Sequence, residues 1–238
     1  MTQLWIQFNF FLFLVVFVAT LVRNLNFNTV LVGLTYLVPL VPLGLTPENA
    51  DRFLIVSFCN LIFGTIEVVV FMLTVRPGDI PFDGEHVKQL FGHTLPIVTA
   101  LIGLSFVGRA TEVPVFSIEL IGIALLFICG SVLRVVAIYQ AGASAFKFDI
   151  VFRSEQKLKT DQLYGLMRHP SYTAMMIVIL AYAVTAHSWI AGSAGMLVAW
   201  AGFQYRIHHE EQALADRFGE EYRAYRACTG MWLPLRRL

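Results

Sequence analysis

The apolar residues of this chain fall in long uninterrupted blocks, and that pattern limits what it can fold into more than any other feature. Leu4–Val22 carries no charged side chain. A block of this length matches the roughly 20 residues an α-helix needs to cross a bilayer. Similar blocks recur along the 238 residues, of which 57% are hydrophobic and only 14% charged. Soluble domains carry about 25% charged residues. The pattern therefore predicts an all-α, polytopic integral membrane protein rather than a soluble domain with a large core. Membrane lipids are its expected surroundings. No basic patch with interleaved aromatics is present, so nucleic acid is not an expected partner.

Seven spans are expected. The first is Leu4–Val22, which lacks a basic leader and a small-residue cleavage site and is read as a retained helix. The second is Thr29–Leu45, where Pro39 and Pro42 predict a kink or an early end. Phe53–Val75 follows and holds Glu67. An acid at that depth is expected to face inward with a partner, and a hydrogen bond to a neighbouring helix is the favoured reading. Leu90–Val107 begins with His93 and Pro96, read as helix-entrance features. Val115–Ala137 holds Arg134, expected to snorkel to the interface. The stretch Gln140–Met167 mixes charges with recurring apolar residues and predicts a structured surface loop. Ser171–Ala186 and Ser188–Tyr205 are separated only by His187, which predicts a tight helical hairpin. Glu210–Arg226 has Leu214, Phe218, Tyr222 and Tyr225 at helical spacing among charges, the pattern of an amphipathic helix at the membrane surface, with a bend at Gly219.

Charge bias orients this arrangement. With the N-terminus outside, the inner side holds Arg23, Arg76, Lys88, Lys147, Arg153, Lys157, Lys159, Arg168, Arg206 and five C-terminal arginines; the outer side holds Arg52 and Arg109. Excess Lys and Arg marks the cytosolic side. Residues 1–140 are read as an N-terminal scaffold of five spans, and 141–238 as the part bearing the chemistry. Cys59, Cys129 and Cys228 have no metal-ligand spacing, and no metal is expected.

Two clusters concentrate the ionisable and aromatic side chains: Arg168-His169-Pro170-Ser171-Tyr172 and Arg206-Ile207-His208-His209-Glu210-Glu211. The hairpin between them returns both to one membrane face. Pro170 holds His169 out of the helical region and suits the first turn of the next helix. Arg206 and Glu210, four apart, share a helix face, while Glu211 points elsewhere. An Arg beside a Glu at an interface can hold an anionic and a cationic group together. Taken alone, the pair also reads as a helix-end salt bridge and His169 as a capping residue.

The spacings Tyr164-x3-Arg168-His169-Pro170-x-Tyr172 and Arg206-x3-Glu210-Glu211-x2-Leu214-x3-Phe218-Gly219-x2-Tyr222-x2-Tyr225, ending at Leu233-Pro234, resemble the isoprenylcysteine carboxyl methyltransferase family and related membrane phospholipid methyltransferases. The resemblance covers the C-terminal part of the chain. It implies a membrane enzyme that uses S-adenosyl-L-methionine in a cytosol-facing pocket and takes a lipophilic acceptor from the bilayer. Carried over by position, Gln156, Lys157, Leu158, Lys159, Tyr164, His169, Pro170, Ser171, Tyr172, Glu210 and Glu211 line or contact the cofactor. Arg206 faces the substrate, and Arg206 with Glu210 is the catalytic pair. The sequence departs from the family pattern at Gln156 and Gln162, where relatives usually carry His and Gly, which predicts an altered backbone path just ahead of Tyr164.

Those roles suit the chemistry. Aromatic rings stabilise a sulfonium and stack on adenine. Methyl transfer is an in-line displacement, so catalysis rests on positioning and desolvation. A carboxylate acceptor of the prenylcysteine type is already ionised and needs a cation to aim it, Arg206. An amine or thiol acceptor, as in phospholipid N-methylation or small-thiol S-methylation, would call on Glu210 as base. An NADPH-dependent membrane reductase and a non-enzymatic membrane protein are the further alternatives.

Overall fold

In a bilayer core, only intrahelical hydrogen bonds or a closed barrel satisfy the backbone, and these apolar blocks are helical. A computed structural model describes residues 1–41, 49–74, 84–142 and 157–234. In chain order the helices are α1 (Thr2–Arg23), α2 (Phe27–Leu37), α3 (Asp51–Thr74), α4 (Gly84–Gln89), α5 (Leu95–Ala110), α6 (Ser117–Ala141), α7 (Pro170–Thr185) and α8 (Trp189–Cys228). A π-helical turn, Leu90–Thr94, joins α4 to α5 without a break, and 3-10 turns lie at Val38–Leu40 and Gln162–Gly165.

Among the described residues, four helices are long and apolar enough to cross a membrane: Thr2–Arg23, Asp51–Thr74, Gly84–Ala110 and Ser117–Ala141. Two more, Phe27–Leu40 and Pro170–Thr185, are apolar but shorter. Seven spans were expected, and the shortfall has local causes. Pro39 turns the end of α2 into a 3-10 turn, and α7 cannot begin before Pro170. The expected surface helix is not separate. Nothing between Tyr205 and Glu210 breaks a helix, so the second hairpin arm and the amphipathic segment form one 40-residue helix, interrupted only at Gly219 (φ 53°, ψ −122°).

One hydrophobic core runs through the bundle, from Phe13 and Phe17 of α1 through Tyr36, Phe63, Leu101, Phe127 and Tyr182 to Phe203 of α8. Two close approaches depend on glycine. A Cβ at Gly130 would lie 3.0 Å from the Ala174 carbonyl oxygen, and one at Gly202 would lie 3.0 Å from that of His93. The small residues of α8 thus let it press onto the π turn.

The ends of the helices gather on two faces. On one, Arg52 at the start of α3 is fully buried. Its guanidinium makes a two-point contact with Glu119 of α6, both bonds 2.8 Å. It also donates to the carbonyls of Val113 (2.7 Å) and Thr185 (3.0 Å). Nδ1 of His187, in the hairpin turn, lies 3.1 Å from it. His187 itself adopts a left-handed conformation (φ 50°), which lets α7 reverse into α8 in so few residues. Arg109 donates to the carbonyls of Pro39 (2.8 Å) and Val41 (2.7 Å). These two arginines are the ones that the charge bias assigns to a common side, and they lie on the face away from Arg168 and Glu211.

Removing one partner of a buried ion pair leaves an uncompensated charge, at a cost of about 3–5 kcal/mol. Glu119→Ala should therefore lower the thermal midpoint of the detergent-purified protein by several degrees. A midpoint unchanged within a degree would show that Arg52 does not staple α3 to α6 and the hairpin.

Candidate active site

The site forms where α7 begins. His169 caps the helix in a non-helical conformation (φ −125°, ψ 57°), with Pro170 as the first helical residue. The His169 carbonyl accepts from the backbone N–H groups of Tyr172 and Thr173, both at 3.1 Å. This fixes Tyr172 one turn in, where its ring stacks on His169 (centroids 5.5 Å apart, planes 13° apart).

The Tyr172 hydroxyl joins the two clusters. It donates to Glu210 Oε2 at 2.6 Å and accepts from Arg206 Nε at 3.3 Å. Arg206 also donates to Gln89 of α4 at 3.4 Å. Arg206 and Glu210 are thus linked through a tyrosine that the hairpin returns to them.

A cleft of about 760 Å³, counting its open mouth, lies on the Glu210 side. Lys157, Leu158, Lys159, Tyr164, His169, Ser171, Tyr172 and Glu210 line it, with Arg168, Leu214, Tyr222 and Tyr225. The sequence clusters therefore do converge. Two of the expected contacts stand outside this lining. Pro170 is buried as a helix-starting residue. Glu211 is committed to the wall behind: it takes Arg168 Nε at 2.7 Å and His169 Nε2 at 3.2 Å on one oxygen, and Arg226 Nε at 3.4 Å on the other. Burial works against the charge of Glu211, but the hydrogen bonds from His169 and Arg168 outweigh it and hold the carboxyl down at about 2. Gln156 lies outside the described residues.

Gln162, in the loop ahead of Tyr164, takes a backbone conformation more usual for glycine. Its φ is +55°, the left-handed region that glycine adopts freely and other residues adopt at a cost. The turn is held by Leu163 N–H donating to Gln140 Oε1 at 3.1 Å and by the Tyr225 hydroxyl donating to the Tyr164 carbonyl at 2.6 Å.

The C-terminal residues close the site as a strap. Met167 pairs with Gly230 in a short parallel bridge. Arg168 N–H donates to the Gly230 carbonyl at 2.8 Å and His169 N–H to that of Met231 at 3.2 Å. Thr173 Oγ1 reaches the Trp232 carbonyl at 2.8 Å, and the Trp232 ring stands edge-on to Phe203.

A second cavity of about 680 Å³ lies on the Arg206 side of Tyr172 and is mostly apolar. Val32 and Tyr36 of α2, Phe71 of α3, Ile97 and Leu101 of α5, and Phe203 of α8 contribute to its wall. His93 in the π turn lines it too, a role that a helix-entrance reading missed; a π turn has no signature in apolar periodicity. Tyr172 belongs to both cavities. Glu67 and Arg134 also line the second cavity, and they form a buried ion pair (2.8 Å). Arg134 therefore turns inward to a carboxylate instead of snorkelling. The signal was present, since each residue was the intramembrane charge the other needed.

Residues 121–216 match the model of the isoprenylcysteine carboxyl methyltransferase (ICMT) family. The chain is 33% identical over 118 residues to a probable protein-S-isoprenylcysteine O-methyltransferase of Oryza sativa subsp. indica, covering 49% of this chain and 61% of that one. It is 38% identical over 102 residues to protein-S-isoprenylcysteine O-methyltransferase B of Arabidopsis thaliana (42% and 51% covered). With the protein-S-isoprenylcysteine O-methyltransferase of Schizosaccharomyces pombe it shares 35% over 117 residues (47% and 48%). Each match takes in less than two thirds of the relative's length. In fold, the chain is similar to the eukaryotic intramembrane Ras methyltransferase ICMT, with a TM-score of 0.55 at 20% identity over 94% of this chain and 83% of that one. The stretch from α6 into α8 is thus similar in sequence to the ICMT family, and the chain as a whole is similar in fold to a solved ICMT.

Proposed function

We propose that this protein is an intramembrane methyltransferase that esterifies the carboxylate of a prenylcysteine-type lipophilic acceptor, using S-adenosyl-L-methionine. The observation that carries the reading is Tyr172. It separates a polar, aromatic cleft from an apolar cavity and presents Glu210 to the first and Arg206 to the second.

The first cleft suits the cofactor. Its volume lies within the roughly 300–1,000 Å³ of small-molecule sites. Tyr164, Tyr172, Tyr222 and Tyr225 offer ring faces and Glu210 offers a carboxylate, the groups that hold an adenine, a sulfonium and an ammonium. The cofactor supplies an electrophilic methyl group. Glu210 and the tyrosines hold it, while Arg206 aims the acceptor carboxylate from the other cavity. An ionised carboxylate needs no general base, so the hydrogen bond that Tyr172 gives Glu210 serves orientation and not proton removal. The prenyl chain occupies the apolar cavity, reached from the bilayer. The site faces the cytosol, and the chain passes the membrane seven times, with α2, α7 and the first half of α8 as short crossings. Residues 141–238 carry the cofactor side of the site, and 1–140 shape the acceptor side.

Calorimetry on the detergent-purified protein tests this. S-adenosylhomocysteine should bind in the micromolar range and NADPH should not, and an S-prenylated cysteine with a free carboxylate should be methylated. Absence of cofactor binding would sink the proposal. Glu210→Ala should weaken S-adenosylhomocysteine by about tenfold or more, a loss of about 1.4 kcal/mol. Arg206→Ala should leave that affinity within about threefold and cut kcat/KM for the acceptor by at least about tenfold. Equal losses in both measurements would make Arg206 structural.

The strap over the cleft hangs on Arg168 and His169, which Glu211 holds. Because the Glu211 carboxyl is depressed in the fold, its contribution is complete above a free glutamate's pKa of about 4.3. It is lost as pH falls toward about 2. The thermal midpoint of the wild type should accordingly drop below about pH 4, whereas Glu211→Gln should start lower and lack that component. Parallel curves for the two proteins would remove Glu211 from this role.

A further inference from the structure

Glu67 lies on α3, outside the stretch that matches the family model. Its carboxylate meets Arg134 at two points, Nε to Oε1 at 2.8 Å and a terminal nitrogen to Oε2 at 2.9 Å. Both side chains are at least nine-tenths buried. The other terminal nitrogen of Arg134 donates to the Ser171 hydroxyl. Ser171 precedes Tyr172 and lines the cofactor cleft, while Glu67 and Arg134 line the acceptor cavity.

Stability is a poor reason for such a pair. The cost of desolvating two charges rivals their attraction, and replacing a buried pair by apolar residues is often neutral or stabilising. Its geometry offers another reason. Two-point contact fixes the plane of a guanidinium, so Glu67 determines where the third nitrogen of Arg134 lies. That nitrogen holds the first turn of α7, from which Tyr172 projects.

We propose that Glu67 is a positioning residue for methyl transfer: it locks Arg134 onto Ser171, which sets Tyr172 between the two cavities. The inference rests on the methyltransferase reading above. It assigns to the N-terminal half of the chain a direct part in aligning the reaction.

Steady-state kinetics and S-adenosylhomocysteine calorimetry on Glu67→Gln, Ser171→Ala and the double variant test it. Glu67→Gln should lower kcat by about tenfold or more, with KM for the prenylcysteine unchanged or reduced because an uncancelled Arg134 still attracts the carboxylate. Cofactor affinity should stay within about threefold. Ser171→Ala should also lower kcat, and the double variant should lose less than the product of the two single losses, since both break one chain of contacts. An unchanged kcat in Glu67→Gln, or losses that multiply in full, would overturn the proposal. So would a cofactor affinity that falls in step with kcat, the mark of a merely structural role. Should Glu67→Gln fail to fold, Glu67→Met with Arg134→Met supplies an apolar replacement of the pair. Full turnover in that protein would overturn the proposal, and folded, cofactor-binding but slow protein would support it. A wild type that methylates nothing overturns the methyltransferase reading as well; a working wild type with an indifferent Glu67 overturns this inference alone.

Discussion

A guanidinium buried in an apolar bundle must be answered by oxygen atoms, and this requirement organises the molecule. Arg52 collects Glu119 and the carbonyls of Val113 and Thr185, and so ties the start of α3 to α6 and to the α7–α8 hairpin on one face. Arg134 takes Glu67 and Ser171 between α3, α6 and α7. Arg168 takes Glu211 and the carbonyls of Arg226 and Thr229, which brings the chain's end back over the beginning of α7. Van der Waals packing alone would allow these apolar helices many registers, since lipid tails are as apolar as the helix surfaces. The guanidiniums select among them.

Arg206 is answered differently. Its hydrogen bonds to Tyr172 and Gln89, at 3.3 and 3.4 Å, are long for a charged donor. Arg52, Arg134 and Arg168 each hold a carboxylate at 2.7–2.8 Å. In the proposed reaction Arg206 faces the acceptor across the second cavity.

Much of this was legible from residue order. The two clusters converge as the hairpin predicted, and Lys157, Lys159, Tyr164, His169 and Tyr172 line one cleft with Glu210, because short connections leave a helical hairpin little freedom. Gly219 bends its helix where its position suggested. What stayed hidden depends on contacts distant in sequence. Nothing local distinguishes an Arg134 that snorkels from one that meets an acid 67 positions away. The hydroxyl link from Arg206 through Tyr172 to Glu210 replaces the helix-face salt bridge that i,i+4 spacing suggests, and only the return of α7 creates it. The continuity of α8 was obscured by the change from apolar to charged residues at Arg206. That change marks where a helix leaves hydrocarbon and carries no information about where it ends.

The division of labour along the chain follows from the same geometry. The family-matched stretch, 121–216, contains Arg134, His169, Tyr172, Arg206 and Glu210. Most of the acceptor cavity wall comes instead from α2, α3, the π turn and α5, through Val32, Tyr36, Phe71, His93, Ile97 and Leu101. On the proposed reading, the chemistry common to the family sits in the second half, and the choice of acceptor is shaped by the first. The match to the family model accordingly falls on the part that, on this reading, handles the methyl donor and the carboxylate. The walls that meet the rest of the acceptor are free to differ, provided that they return a carboxylate to Arg134. Glu67 meets that condition: among the described residues it is the one acid that the N-terminal half brings to the cavity wall.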